Sequence, residues 1–181
     1  MQRDGILVWM DLEMTSLVDV QTDSIIEIAV ILTDDNLNVI AEGPDIVIHA
    51  EREVFDAIPP EVREIHEKSG IIEEVVSSTV SEKDAEKEVL KFLIEHVAPQ
   101  ASPLCGNSIH MDRMFLYTRM PSVNAHLHYR NIDVSTIKEL AKRWAPEIFS
   151  KYKKEGTHRA KDDILQSIDE MKFWKREFLK L

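Results

Sequence analysis

An apolar run, Ile6-Leu7-Val8-Trp9-Met10, opens the chain's hydrophobic pattern and ends in Asp11-Leu12-Glu13. A run of this length reads as a strand buried on both faces. Comparable runs predict strands near 24–33 and 38–49, which with 5–13 form an early meander turned at Asp34-Asp35-Asn36. Helical spacing follows around 60–67, opened by Pro59-Pro60, and around 83–97. A short strand near 103–106 precedes a helix from about 109, and another near 131–134 precedes a helix opened by Ser135. A long helix, about 160–178, closes the pattern. Three meander strands followed by strand–helix alternation predict an α/β fold, a mixed central sheet with helices on both faces. The 181 residues suit one domain, 1–181, without linker, repeat or low-complexity run.

The pattern also sorts the acidic residues. Strand side chains alternate, so Asp11 and Glu13 point to one side while Leu12 points away. Two ionised carboxylates half out of water repel each other, and a divalent cation between them removes that cost. Asp112 falls in the first turns of the helix after Gly106-Asn107-Ser108, where Asn107 or Ser108 is positioned to cap. In the last helix the apolar positions Ile164, Leu165, Ile168, Met171, Trp174 and Phe178 centre near Ile164. At ~100° per residue, Asp163 lies about 100° from that centre and Asp162 about 160°. Asp163 therefore borders the buried face and Asp162 faces water. His158 precedes the helix in a loop, free to swing over the same place.

Charge narrows the partners. A net charge of −11 is unfavourable for gripping long nucleic acid, which is held mainly by Lys and Arg on phosphates. An acidic protein that handles nucleic acid needs bound metals and a few placed donors, and should prefer short substrates. One cysteine, Cys105, gives no intrachain disulfide and fits a reducing cytoplasm. The start resembles neither a signal peptide nor a membrane span, so no membrane association is expected.

Asp11-x-Glu13, Asp112, and His158 with Asp163 five residues later resemble the ordered motifs of the DEDD exonucleases, in the subgroup with histidine in the third motif. Trp9-Met10-Asp11-Leu12-Glu13-Met14-Thr15 is similar to the oligoribonuclease family. So are Cys105-Gly106-Asn107-Ser108-Ile109, Tyr129-Arg130-x-x-Asp133-Val134-Ser135-Thr136 and Gly156-Thr157-His158-Arg159-Ala160-x-Asp162-Asp163. The likeness runs from about Gly5 to Leu181. It implies a ribonuclease H-like exonuclease fold and 3′-to-5′ hydrolysis of short RNA, two to about five nucleotides long, to nucleoside 5′-monophosphates. It further implies that Asp11, Glu13, Asp112 and Asp163 hold two divalent cations, Mn²⁺ or Mg²⁺, with His158 as general base. Glu13 would also reach the 3′-terminal ribose.

Substrate contacts carry over by the same resemblance. Leu17 is the wedge between terminal bases, although Ser16 stands where the family usually has glycine. His66 assists near the substrate. Ser108, Arg130, Ser135 and Thr136 cap a 5′-phosphate, and His128 and Tyr129 come from the second subunit of a homodimer. The segment Pro59-Pro60-Glu61-Val62-Arg63 lacks the aromatic residue that in relatives stacks on a base. Two other readings share the motifs: a DNA-directed exonuclease of the DEDD type, and a catalytically inactive dinucleotide-binding protein.

Overall fold

The computed structural model describes residues 5–153 and 158–181. Five strands, β1 (Leu7–Met14), β2 (Ile25–Thr33), β3 (Val39–Val47), β4 (Leu104–Gly106) and β5 (Asn131–Asp133), form one mixed sheet in the order β3-β2-β1-β4-β5. The meander β1-β2-β3 is antiparallel, whereas β4 and β5 run parallel to β1. β1 is thus the central strand, and its far end is overlooked by the connections that leave β4 and β5.

Helices cover both faces. Val8, Met10 and Leu12 pack with Ile28, Val30 and Leu32 beneath α4 (Glu82–His96), α5 (His110–Arg119) and α6 (Pro121–His126). Trp9, Ala29, Ile31 and Cys105 face the other way, against α7 (Val134–Trp144) and α9 (Ala160–Trp174), whose Ile164, Ile168 and Trp174 are buried. Every residue of β2 is buried, Glu27 within its largely apolar run included, while β3 is an edge strand and so tolerates Pro44. Asp11 and Glu13, two and four residues beyond Trp9, lie on the α9 side of the sheet.

Four short helices escape the sequence pattern: α1 (Arg52–Ala57), α3 (Ile71–Ser77), α6 and α8 (Pro146–Phe149). Each spans two turns or fewer, too short for a 3.6-residue period to register. The helix opened by Pro60 runs as α2 (Pro60–Ser69) and stops at Gly70, whose φ of 75° provides a left-handed cap. Both predicted helix caps differ from the structure. Ile109 stands at the start of α5 with no side-chain cap, and Asn107 turns instead towards α9. Asp133, not Ser135, caps α7: its Oδ1 accepts from Ser135 N at 2.9 Å. The closing α-helix ends at Trp174 and continues as a π-helical turn, Lys175–Leu179, so Phe178 lies beyond it.

A buried carboxylate ties the closing helix to the sheet. Glu27, 1 % exposed on β2, accepts from Arg159 Nε at 3.0 Å and Nη2 at 2.8 Å. Its other oxygen takes Ala160 N at 2.9 Å, one of the free donors at the start of α9. Arg159 also pairs with Glu74 of α3. Glu27→Gln is expected to destabilise the fold by about 2 kcal/mol, since it leaves a guanidinium partly uncompensated against the sheet. Urea denaturation checks this, and an unchanged midpoint would mean the tie contributes nothing net.

Candidate active site

β1 carries the first two acids to the edge of the sheet by register. Asp11 lies opposite Ala29 and Glu13 opposite Glu27, with an irregularity just beyond Glu13. α9 brings Asp163 to the same place, and the Arg159–Glu27 tie brings His158. Among the described residues, ligating atoms of Glu13, His158 and Asp163 lie within 4.8 Å of one another. That tight group includes neither Asp11 nor Asp112. Asp163 is buried while Asp162 is exposed, as the helical period requires. His158 is exposed and holds a left-handed φ of 54°, uncommon for a side chain with a Cβ. Gly156 and Thr157 of the same motif lie outside the described residues.

Asp112 is fastened from behind. Buried in the first turn of α5, it accepts through Oδ1 from Leu12 N at 3.0 Å, so a backbone-to-side-chain bond spanning 100 residues sets it between Asp11 and Glu13 in sequence register. Burial raises its pKa, and the charge of Asp133 adds to that, against the lowering effect of the Leu12 bond. Glu13 is pushed up to about 8, first by burial and then by the charges of Asp163, Glu27 and Asp112. Asp163 Oδ1 is buried with no hydrogen-bond partner among the described residues. A carboxylate oxygen left so is costly. Crowded hard donors, a carboxyl forced towards neutrality and an orphaned oxygen fit a divalent cation better than they fit each other.

The β1–β2 loop presents Leu17 and Val18, 56 % and 77 % exposed, on a rigid base. That base is Asp23, which sequence reasoning missed. Its carboxylate accepts from Thr15 Oγ1, Ser16 Oγ at 2.7 Å, Val18 N and Asp19 N. Ser16, where the resemblance leads one to expect glycine, therefore adds a bond that a glycine would lack. Beside the loop is a groove of about 650 Å³ between Thr15, Ser16 and Val18 on one wall and Ile58, Pro59 and Pro60 on the other. None of its lining residues is aromatic. His66 is buried under the same strand end, its Nε2 donating to Met14 O at 2.9 Å, and burial lowers its pKa.

The remaining residues form two groups. Ser108, Ser135 and Thr136 line one open groove of about 490 Å³ with His110 and Arg143. Arg130 is not part of that lining. It sits instead over Tyr129, 5.3 Å from the ring centre, and Tyr129 packs on His128 at 4.4 Å between centroids. His128 O accepts from Arg113, and Tyr129 is 75 % exposed. Alongside is a largely apolar cavity of about 740 Å³ lined by Met114, Tyr117, Leu127 and Tyr129 among others. Glu27 also escaped the sequence reading, though a lone charge within Ile25-Ile26-Glu27-Ile28-Ala29 was a signal for it.

The RNase T exonuclease family matches residues 8–171. The chain is similar to the oligoribonuclease of Chromobacterium violaceum, 51 % identical over 97 % of this chain and 96 % of the relative. It is 50 % identical to that of Halorhodospira halophila over 97 % and 95 %, and 48 % identical to that of Bordetella pertussis over 97 % and 96 %. Among solved structures it resembles the zinc-bound Escherichia coli exonuclease I–single-stranded DNA complex, at TM-score 0.74 and 16 % identity over 98 % of this chain. A further exonuclease I structure superposes at TM-score 0.73 with 16 % identity over 98 % of this chain. The chain spans 42 % of the length of those exonuclease I chains, and at this identity the likeness is one of fold.

The acid cluster sets a pH dependence for the metal-free protein. Glu13 and Asp112 bind protons more tightly folded than unfolded, where carboxyl groups titrate near ~4. Their contribution to stability is full below that range and is lost as pH rises, through about 8 for Glu13. In EDTA the melting temperature should therefore fall between about pH 5 and pH 8. Added Mg²⁺ or Mn²⁺ should raise it more at pH 8 than at pH 5, because binding displaces the protons. Thermal melts across that range check both; a metal effect independent of pH would contradict the cluster.

Proposed function

We infer the activity from one premise: the chain belongs to the oligoribonuclease family of exonucleases. The proposal is that it is a 3′-to-5′ exoribonuclease that hydrolyses short RNA, diribonucleotides above all, to nucleoside 5′-monophosphates. The single observation that carries the chemistry is the convergence of Glu13, His158 and Asp163 within 4.8 Å at the end of the central strand. Asp11, Glu13, Asp112 and Asp163 would together hold two divalent cations, Mn²⁺ or Mg²⁺. When bound, the cations lower the pKa of the attacking water and offset the charge on the departing oxygen.

The chain's own residues do the rest. His158, exposed over the cluster, takes the proton of the attacking water as its oxygen bonds to phosphorus and the P–O3′ bond breaks; the freed 3′-oxygen takes a proton from solvent. A neutral imidazole has one ring nitrogen that can accept a proton, which suits that task. Leu17, held by the Asp23 clamp, wedges the terminal bases, and Val18 widens the apolar surface it offers. The adjoining groove takes a base without aromatic stacking, which weakens binding rather than chemistry. Its neighbour His66 braces Met14, and so the strand end at which the substrate lies.

At the 5′ side, the groove lined by Ser108, Ser135 and Thr136 receives the terminal phosphate at the start of two helices. Arg130, Tyr129 and His128 complete that cap from a second copy of the chain, which supports a homodimer: in one protomer they sit apart from the serine groove and beside an apolar cavity with Tyr117, 72 % exposed, on its rim. No helix among the described residues is long and apolar enough to cross a membrane. A cytoplasmic protein fits its one buried, reduced cysteine.

Product analysis on RNA of two to about seven nucleotides, beside matched DNA, tests this. Mononucleotides should appear only with divalent cation, kcat/KM should be highest for 5′-phosphorylated diribonucleotide, and EDTA should abolish turnover. Equal efficiency at all lengths would make the enzyme a general exonuclease; preference for DNA would move it to the other DEDD branch; no hydrolysis would leave a binding protein. His158→Ala should lower kcat by ~10²–10⁴ with metal-induced stabilisation retained. Near-normal kcat in that variant would assign the base elsewhere.

A further inference from the structure

A line of buried polar groups runs from the serine groove to the closing helix, and its proton directions can be read. Glu170, 0 % exposed on α9, accepts from Trp174 Nε1 at 3.0 Å and Asn107 Nδ2 at 3.2 Å, with Lys138 Nζ at 3.5 Å. Ser167 donates its one proton to Asp163 O at 2.7 Å and so receives Asn107 Nδ2 at 2.8 Å. Both acceptors face the same end of Asn107, which fixes the amide: nitrogen towards α9, oxygen towards Ser135. Ser135 Oγ donates to that oxygen at 3.0 Å.

A hydroxyl has one proton. Having given it to Asn107, Ser135 can only accept, and it does so from Ser108 N at 3.0 Å. Across the 3.2 Å contact between the two hydroxyls, Ser108 must then be the donor. Ser108 holds φ of 50°, and its N–H is secured to Asp133 Oδ1 and to Ser135 Oγ, so its strained turn is kept in part by the hydroxyl that Asn107 orients. Of the two serine hydroxyls, only that of Ser108 can turn out to the groove without breaking the inner line.

We propose that Glu170, acting through Asn107, is a positioning residue for the 5′-phosphate: it turns the Ser135 proton inward and leaves Ser108 as the hydroxyl that donates to the phosphate. The inference rests on the phosphate-cap reading of this groove. It also joins the two ends of the site, since Asn107 and the Asp163 carbonyl share Ser167. Glu170 touches no substrate.

Glu170→Gln tests it. The new amide nitrogen faces donors on every side, so Asn107 must turn over and the Ser135 proton is released. The quantity to measure is the 5′-phosphate advantage, the ratio of kcat/KM for a diribonucleotide with and without that group. The variant should lose about fivefold of the advantage, through KM, while kcat on the unphosphorylated dimer stays within about twofold. Asn107→Ala should do the same, and the double variant should lose no more than either alone. An equal loss on both substrates, or an unchanged advantage, overturns the proposal. So does loss of the folded melting transition in both variants, which would make the line a folding element. If the wild-type protein shows no advantage to begin with, the cap reading itself has failed, a result distinct from a wild-type advantage that Glu170→Gln leaves intact.

Discussion

The candidate site depends on Glu27, an acid outside the tight group of Glu13, His158 and Asp163. It stands on the fully buried strand directly opposite Glu13, and its charge, after burial and the charge of Asp163, raises that carboxyl's pKa. Its own charge is compensated by Arg159 and by the first amide of α9. The same carboxylate therefore crowds the site and delivers the loop with His158 and the helix with Asp163. A neutral residue at this position would relax both at once.

Much of the framework was legible from period alone. The three meander strands, the parallel strands after residue 100 and the long closing helix all announced themselves through apolar spacing, as did the choice of Asp163 over Asp162. The short helices did not, because one or two turns show no period. The caps of α5 and α7 were misread for a related reason: Asn107, Ser108, Ser135 and Asp133 all favour caps locally, and which one serves is decided by partners 25 to 60 residues away. Glu27 and Glu170 were hidden because their partners are long-range, and Asp23 because its donors, four to eight residues earlier, converge only in the folded loop. Each is an acid whose meaning lies in the donors around it, and those are set only by the fold.

The two ends of the site use opposite electrostatics. At the strand end, carboxylates are packed without enough cations of their own, an arrangement that suits a divalent cation. At the serine groove both serine hydroxyls are already engaged within the protein, and of the two only that of Ser108 can rotate outward. Strain appears at both, in the left-handed backbones of Ser108 and His158. In each case a neighbouring carboxylate, Asp133 or Glu27, holds the adjoining amide or guanidinium that fixes the turn.

The closing helix has a consequence for how the molecule comes into being on the ribosome. Hydrogen bonds that span 100 residues, from Leu12 to Asp112, and 132 residues, from Glu27 to Arg159, make the site the most non-local part of the structure. Strands β1 to β5 and the helices of one face can assemble while the chain is still emerging. Asp163 and the Trp174 that seals the second core arrive last. A nascent or prematurely ended chain would thus possess most of a sheet but no nuclease, and an enzyme whose substrates are RNA fragments would stay silent until its own synthesis is done.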